Sequence, residues 1–257
     1  TPAKKVLAQK EKYKALFTED RWTEFKQDIK YFRSLVPKSK WQKVLTDKGY
    51  NATPTWNMVA RWLTNATSTD GGWGIHFLLS LDLILVALMI STVGYAYGYR
   101  AALFSLIFFA SNFFMSFVTI KGAFLRLDWV ATMVMSVCFL KLNRFKTAGA
   151  LAAYSITARV FPIIFLFGMG AKGVWALFRT RKIGRQYLQF FLSCALTISA
   201  LIATSIAVDG NLDLWETFLK KISMHNDDIA TTRVGFKYIF MDTWEQPTGW
   251  RTYSAAK

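Results

Sequence analysis

Long apolar runs, separated by short basic segments, fill the middle of the chain. Runs close to the ~20 residues that an α-helix needs to cross a bilayer recur between residues 75 and 208. The predicted spans are 75–94, 101–120, 122–140, a longer block at 147–177, and 187–208. This pattern predicts an all-α fold, a polytopic transmembrane helical bundle, and therefore an integral membrane protein.

The block 147–177 is too long for one span and carries Arg159 three residues before Pro162. An arginine at mid-membrane costs ~2.5–3.5 kcal/mol on insertion scales, and proline removes a helix hydrogen bond. We therefore predict a broken or re-entrant pair of helices at 147–158 and 162–177. The alternative is one tilted, kinked span in which Arg159 snorkels or contacts a partner.

The loops around this block support the pair of helices. Both 141–146 and 179–185 are basic, and the positive-inside rule places basic loops together in the cytoplasm. A turn at Arg159 then lies on the outer side of the membrane. The span 122–140 reaches membrane length only if "GAFLRLD" begins its helix, which puts Arg126 and Asp128 at one mouth.

Charge divides the chain into three parts. Residues 1–74 hold 14 Lys and Arg against 7 acids, 75–208 hold 12 against 2, and 209–257 hold 6 against 7. The predicted orientation places 1–74 and 209–257 outside, in a periplasm or a lumen. Because the sequence has no initiator Met and stops without a boundary, we expect a partial chain whose last segment is truncated.

The outer segments have distinct patterns. Residues 18–36 space Trp22, Phe25, Ile29 and Phe32 as one face of an amphipathic helix, which is suited to a membrane surface. Residues 47–56 are expected to form a turn-rich loop. "HNDD", from His225, offers oxygens to a divalent cation, but a solvated loop is the favoured interpretation.

Other functional classes find little support. The sequence has no Cys/His cluster for zinc, so no metal site is expected, and no glycine-rich phosphate loop. Cys138 and Cys194 lie in apolar runs and are predicted to be buried thiols. The excess of basic residues flanks apolar spans, so the expected partners are anionic lipid headgroups and not nucleic acid.

Several stretches together resemble GT-C-type polytopic glycosyltransferases, in particular their bacterial mannosyltransferase-like branch. "KLNRFKTAGALAAYSITARVFPIIFLF" (141–167) resembles a family element with a basic loop, a small-residue helix, a cation and a proline. "DIKYF" (28–32) is loosely similar to an acidic outer-loop motif, and "GYNATPTW" (49–56) to an aromatic and proline segment. "NDDIATTRVGF" (226–236) is similar to a later outer loop of the family. In the family a transmembrane helix precedes the acidic loop, and residues 122–130 replace a more neutral stretch.

The resemblance implies transfer of a sugar from a polyprenyl-phosphate donor on the outer face, in a bacterial inner membrane. It implies that Asp28 is the general base, with Asp128 as the alternative, and that Arg159 binds the donor phosphate. Such transfer needs a carboxylate for the acceptor proton and a cation for the leaving phosphate. Arg126 is a second candidate for binding the donor phosphate. Further polar candidates are Tyr31, Tyr50, Asp82 and His225.

Each of these residues also has a structural interpretation. Asp28 is equally an exposed helix carboxylate, Arg159 a structural or lipid-headgroup contact, and Asp82 a hydrogen bond between packed helices. As a whole, the chain is alternatively a non-catalytic subunit of a larger membrane complex, with other membrane subunits as partners. A transporter is expected to show paired broken helices in two halves, and the sequence shows one such break.

Overall fold

The structure of the chain is a computed structural model. The described residues are 8–35, 37, 41, 52–67, 72–111, 124–210 and 212–227. These residues are helical or in turns and form no strand, which confirms the all-α class. The chain divides into two compact units, Thr1–Asn51 and Ala52–Lys257. Residues 52–74 thus belong to the unit that holds the apolar spans.

The first unit contains α1, Lys10–Lys14, and α2, Glu19–Leu35. Thr18 Oγ1 accepts a hydrogen bond from the Arg21 N–H at the start of α2, in the way an N-cap does. The first turn of α2 is acidic and its last turn is basic, which complements the helix dipole. The helix predicted at 18–36 is confirmed over Glu19–Leu35, and Val36 lies outside the described residues.

The second unit begins with α3, Pro54–Asn65. Thr53 is its N-cap and accepts a hydrogen bond from the Trp56 N–H at 3.1 Å, while Pro54 occupies the first turn. Threonine followed by proline is a favoured way to begin a helix. The loop predicted at 47–56 is therefore wrong for its last three residues.

Three helical segments are long and apolar enough to cross a membrane: Trp73–Tyr97, Phe161–Thr180 and Arg185–Val208. The first lies in α4, Gly72–Tyr97, and the third lies in α9, Arg185–Asp209. The second consists of a 3₁₀ turn, Phe161–Phe165, followed directly by α8, Leu166–Thr180. Few of their residues are buried, as expected of helices surrounded by lipid. The spans predicted at 75–94 and 187–208 are confirmed, and the chain is an integral membrane protein.

The remaining apolar helices are shorter. They are α5, Tyr99–Ser111; α6, Asp128–Lys141; and α7, Phe145–Ala158. The rest of the span predicted at 101–120 lies outside the described residues. At 14 residues α6 is ~21 Å long, less than the ~30 Å of a hydrocarbon core.

The start of α6 differs from the prediction. "GAFLRLD" was expected to begin the helix, but Phe124 to Leu127 are not helical, and Leu125 has a left-handed φ of 46°. The carboxylate of Asp82, in α4, accepts the N–H groups of Arg126 and Leu127 instead. This contact between distant segments holds Arg126 and Leu127 outside the helix, which therefore begins at Asp128.

The chain reverses direction between α7 and α8, as predicted for a broken helix pair. Arg159 is extended (φ −144°, ψ 126°) and the 3₁₀ turn follows it. Gly173 of α8 faces Tyr187 of α9, so these two helices are antiparallel across a short turn. Ile156, near the end of α7, clusters with Cys194 of α9, and Leu166 at the start of α8 packs against the same cluster. The basic loops before α7 and after α8 consequently lie at the same end of the bundle.

The last described helix is α10, Asp213–Asp227. The Trp215 indole N–H donates to Ser205 Oγ of α9 at 2.9 Å, so α10 folds back onto the end of that helix. His225 to Asp227 are helical. The prediction that "HNDD" forms a loop is wrong for these three residues.

Candidate functional site

The candidate site lies at the end of the bundle where α7 breaks. Asp128, the first residue of α6, is 2% exposed. Its Oδ1 accepts the N–H of Trp129 at 2.7 Å, and its Oδ2 accepts the Tyr154 hydroxyl at 2.9 Å. A buried carboxylate requires such partners. An ionised carboxylate has about four acceptor positions, so each oxygen keeps a free lone pair.

Tyr154 reaches Asp128 because polar side chains fix the register of the α6–α7 hairpin. Ser155 Oγ donates to the Trp129 carbonyl at 2.8 Å, and Ser136 Oγ donates to the Ala148 carbonyl at 2.7 Å. Both hydroxyls cross between helices at buried positions. The antiparallel register that they define places Tyr154 beside Asp128 on two packed helices, which are more rigid supports than loops.

Asp82 supports the same end of α6 from the neighbouring helix α4. It is fully buried, and its two oxygens accept the Arg126 N–H at 3.0 Å and the Leu127 N–H at 2.9 Å. These N–H groups immediately precede α6, where a negative charge is also favoured by the helix dipole. Both oxygens of Asp82 are engaged in holding the backbone between segments, which is a structural role.

Arg159 occupies the break itself. Its side chain is half-buried, and its charge acts on Asp128 and Tyr154 within electrostatic range. Within the part of the chain that the structure describes, the guanidinium forms neither an ion pair nor a hydrogen bond. A carboxylate and a phenol are thus hydrogen-bonded at the end of the bundle where Arg159 lies, and the guanidinium donors have no acceptor among the described residues.

The backbone freed by the break has one partner from α3. The Ala158 carbonyl, at the end of α7, accepts the Thr53 hydroxyl at 3.3 Å. Thr53 thus caps α3 and also satisfies a carbonyl that has no partner within its own helix. The next threonine, Thr55, is fully buried, and its hydroxyl finds no partner among the described residues.

Aromatic side chains surround this end of the bundle. Trp129 and Phe161 meet edge to face, with ring centroids 4.6 Å apart. Trp56 packs edge to face on Phe124 at 6.0 Å, and its indole N–H donates to the Leu125 carbonyl at 2.9 Å. These contacts fix the irregular segment before α6 and the 3₁₀ turn after the break, so the polar cluster has an apolar and rigid border.

The other candidate residues lie elsewhere or are not described. Asp28 and Tyr31 are both exposed on α2 of the first unit. Arg126 contributes its backbone N–H to Asp82, and its side chain is exposed. His225 is in the last turn of α10. Tyr50 lies outside the described residues.

In the described ranges, no three His, Cys, Asp or Glu side chains are grouped to hold a metal ion. Cys138 of α6 and Cys194 of α9 are free and buried, as predicted.

Sequence reasoning missed two residues of this cluster, Tyr154 and Thr53. Tyr154 is a polar-tipped aromatic residue in a run of small residues, five positions before Arg159, and this isolated position was the available signal. Thr53 was signalled by the proline that follows it. Neither signal names the partner, because each contact joins segments that are distant in sequence.

Comparison of the chain with protein-family models, with curated proteins and with solved structures gives no significant match.

Proposed function

We propose that this membrane protein transfers a sugar from a polyprenyl-phosphate donor, with its reaction centre at the break between α7 and α8. The observation that supports the proposal is the position of Arg159, a half-buried cation without a hydrogen-bond acceptor among the described residues, within electrostatic range of a buried carboxylate. A guanidinium presents a planar fork of donors that matches a phosphate. Stabilising the departing lipid phosphate is the task that such a cation performs in sugar transfer.

The transfer also needs a carboxylate that takes the proton of the acceptor hydroxyl. Asp128 is the better candidate by geometry because the adjacent Trp129 contacts Phe161, just after Arg159, and each Asp128 oxygen has a free lone pair for another hydrogen bond. Tyr154 would hold Asp128 in place. Asp28, exposed on α2, remains the candidate implied by the resemblance.

The proposed location is the inner membrane of a bacterium, with 1–74 and 209–257 on the periplasmic side. The two basic loops at one end of the bundle favour a cytoplasmic position for that end. Membrane lipids, including anionic headgroups, then surround the spans, and the donor lipid approaches the opposite end.

Donor binding to the full chain in nanodiscs tests the role of Arg159. With a polyprenyl phosphate as the probe, Arg159→Leu is expected to weaken binding by about tenfold or more, because a charge-assisted hydrogen bond contributes ~1.5–3 kcal/mol. Arg159→Lys keeps the charge but loses the fork, so a few-fold loss is expected. Arg100→Leu, on α5, removes an exposed charge away from the break and serves as the control.

A second assay distinguishes the roles of Asp128 and Asp28. It measures transfer from a radiolabelled polyprenyl-phosphate mannose to a lipid or glycan acceptor. Asp128→Asn is expected to abolish transfer while donor binding persists, and Asp28→Asn to preserve it. The reverse result would move the base to Asp28. Unchanged donor binding in Arg159→Leu would contradict the proposal and favour the non-catalytic subunit.

Thiol labelling in sealed cells tests the orientation independently. Cys138 and Cys194 are first replaced, and single cysteines are introduced at Lys146, Arg181 and Asn226. An impermeant reagent added outside is expected to label position 226 and to spare 146 and 181. Labelling of 146 and 181 from opposite sides would contradict the common end of the two loops.

A further inference from the structure

The helix α2 of the first unit carries an apolar face that the described residues cover only in part. Trp22, Phe25, Ile29 and Phe32 follow at spacings of three and four, which places them on one side of a helix. Phe17, from the turn before α2, packs on Trp22 and Phe25 with ring centroids 5.4 and 5.5 Å away. Towards the other end, Ile29 is 38% exposed and Phe32 is 54% exposed.

Cations line one edge of this apolar face. Lys26, Lys30 and Arg33 are spaced by four and three residues, so they form a row along the helix next to the apolar side chains. All three are exposed, and in the described part of the chain none of them forms an ion pair. They are free to meet external anions.

Acids line the opposite edge. Glu24 and Asp28, four residues apart, lie there. Glu24 forms an ion pair with Arg21, with 2.6 Å between Oε2 and Nη1. Between residues 24 and 33 the two signs of charge are therefore separated across the apolar face. The basic edge formed by Lys26, Lys30 and Arg33 is complementary to a negatively charged surface.

We propose that α2 lies on an anionic lipid surface, with Ile29 and Phe32 at the level of the acyl chains and the basic edge against the headgroups. A helix with an apolar face and basic residues beside it binds the membrane interface by burying apolar area and by attraction to anionic lipids. Each Lys or Arg near such a surface is attracted to the anionic headgroups. The three-cation edge then makes binding depend on lipid charge.

The bilayer is available to α2 without a separate encounter. The first candidate span, Trp73–Tyr97, begins 38 residues after Leu35, the last residue of α2. Because α2 and this span belong to one chain, α2 stays at a high effective concentration near the surface. The proposal concerns bulk anionic lipid and requires neither a donor substrate nor catalysis, so it is independent of sugar transfer.

Nitroxide accessibility in the full chain tests this orientation. Ile29→Cys reports the apolar face and Gln27→Cys the opposite side of the same helix, each spin-labelled after Cys138 and Cys194 are changed to Ala. The protein is placed in nanodiscs of phosphatidylcholine, with or without about one-third phosphatidylglycerol. The measured quantity is the ratio of accessibility to oxygen, which partitions into lipid, over that to a water-soluble nickel chelate.

In anionic nanodiscs the ratio at position 29 is expected to exceed that at position 27 several-fold. Replacing Lys26, Lys30 and Arg33 by Gln is expected to lower it at least threefold. The charge-matched control replaces Lys10, Lys12 and Lys14 by Gln. It should leave most of the accessibility ratio at position 29 unchanged. Equal ratios at 29 and 27, or a ratio insensitive to phosphatidylglycerol, would overturn the proposal. Low accessibility to both reagents at 29 would also overturn it, because that result indicates protein contact.

Discussion

The two halves of the broken helix have similar overall hydrophobicity, yet they have opposite surroundings. More than half of α7 is buried, at Ala148, Gly149, Ala152, Ala153, Ser155, Ile156, Thr157 and Ala158. No residue of α8 is buried, although the structure describes the whole helix. Phe167, Trp175 and Phe178 of α8 are each exposed by more than two-thirds.

The difference is one of side-chain size. Small residues let helix backbones approach closely, and in a membrane the interfaces between helices are enriched in them. Gly149 lies so near α9 that an added Cβ would be 2.3 Å from the Phe190 carbonyl oxygen. Large residues of α8 gain nothing from leaving lipid, since lipid tails are as apolar as they are. Residue size, more than hydrophobicity, therefore distinguishes the protein-facing half from the lipid-facing half.

The largest expected effect comes from adding one methyl group to each half. Gly149→Ala should lower the free energy of unfolding by about 1–3 kcal/mol, because backbone atoms of α9 must move. Gly168→Ala, in α8, has no atom within 4 Å of the new Cβ and should raise it by about 0.5–1 kcal/mol through helix propensity. Unfolding by SDS in mixed micelles measures both. Equal effects would contradict the comparison.

The next effect concerns the end of α7. Thr53→Val removes the cap of α3 and the donor to Ala158, which should cost about 1–2 kcal/mol. Thr55→Val keeps the shape and removes a buried hydroxyl without a described partner, so stability should stay equal or rise. Thermal melts of the two variants in detergent, followed by circular dichroism, make the comparison. A larger loss in Thr55→Val would show that its hydroxyl is needed.

A smaller effect is expected from the hydroxyl that joins α7 to α6. Ser155→Ala removes the hydrogen bond between the two helices, although the Trp129 carbonyl still accepts the Thr132 hydroxyl, and should cost about 1 kcal/mol. Thr180→Val, at the exposed end of α8, removes a bond to the helix's own Ala176 carbonyl, which water can replace. Its expected change is within about 0.5 kcal/mol. The same SDS titration is the measurement, and a reversed order would show that α8 is the better-packed half.

The smallest effect is expected on the lipid-facing side. Phe167 is 77% exposed, so Phe167→Leu should change stability by less than about 0.5 kcal/mol in lipid nanodiscs. Thermal unfolding detected by tryptophan fluorescence measures it. A loss above 1 kcal/mol in the native membrane extract, absent from nanodiscs of the purified chain, would instead indicate that another subunit covers α8.

Much of the helical framework could be predicted from local pattern. The helix at 18–36, the two long spans and the break at Arg159 follow from residue spacing, apolar length and proline chemistry. The start of α6 could not be predicted, because "GAFLRLD" is compatible with a helix and Asp82, 44 residues before Arg126, stops it. The helical start at Pro54 was predictable from its cap, but the surrounding turn-forming residues outweighed that signal.

The candidate site was predictable only in part. Arg159 was identified because a cation in an apolar run is costly, and Asp128 because it lies beside the predicted mouth. Their grouping with Tyr154 depends on the register of the α6–α7 hairpin, which Ser136 and Ser155 set through hydrogen bonds across the interface. Hydropathy carries no information on register.

By itself the sequence determined that the chain is helical, enters a membrane and changes direction near Pro162, since these properties follow from residue-by-residue solvation and backbone chemistry. Only the tertiary structure decided which apolar faces meet protein, where α6 begins and which carboxylate shares a cluster with Arg159. The reason is physical: close packing and buried hydrogen bonds join groups far apart in sequence, and their free energy depends on distances that no local pattern records.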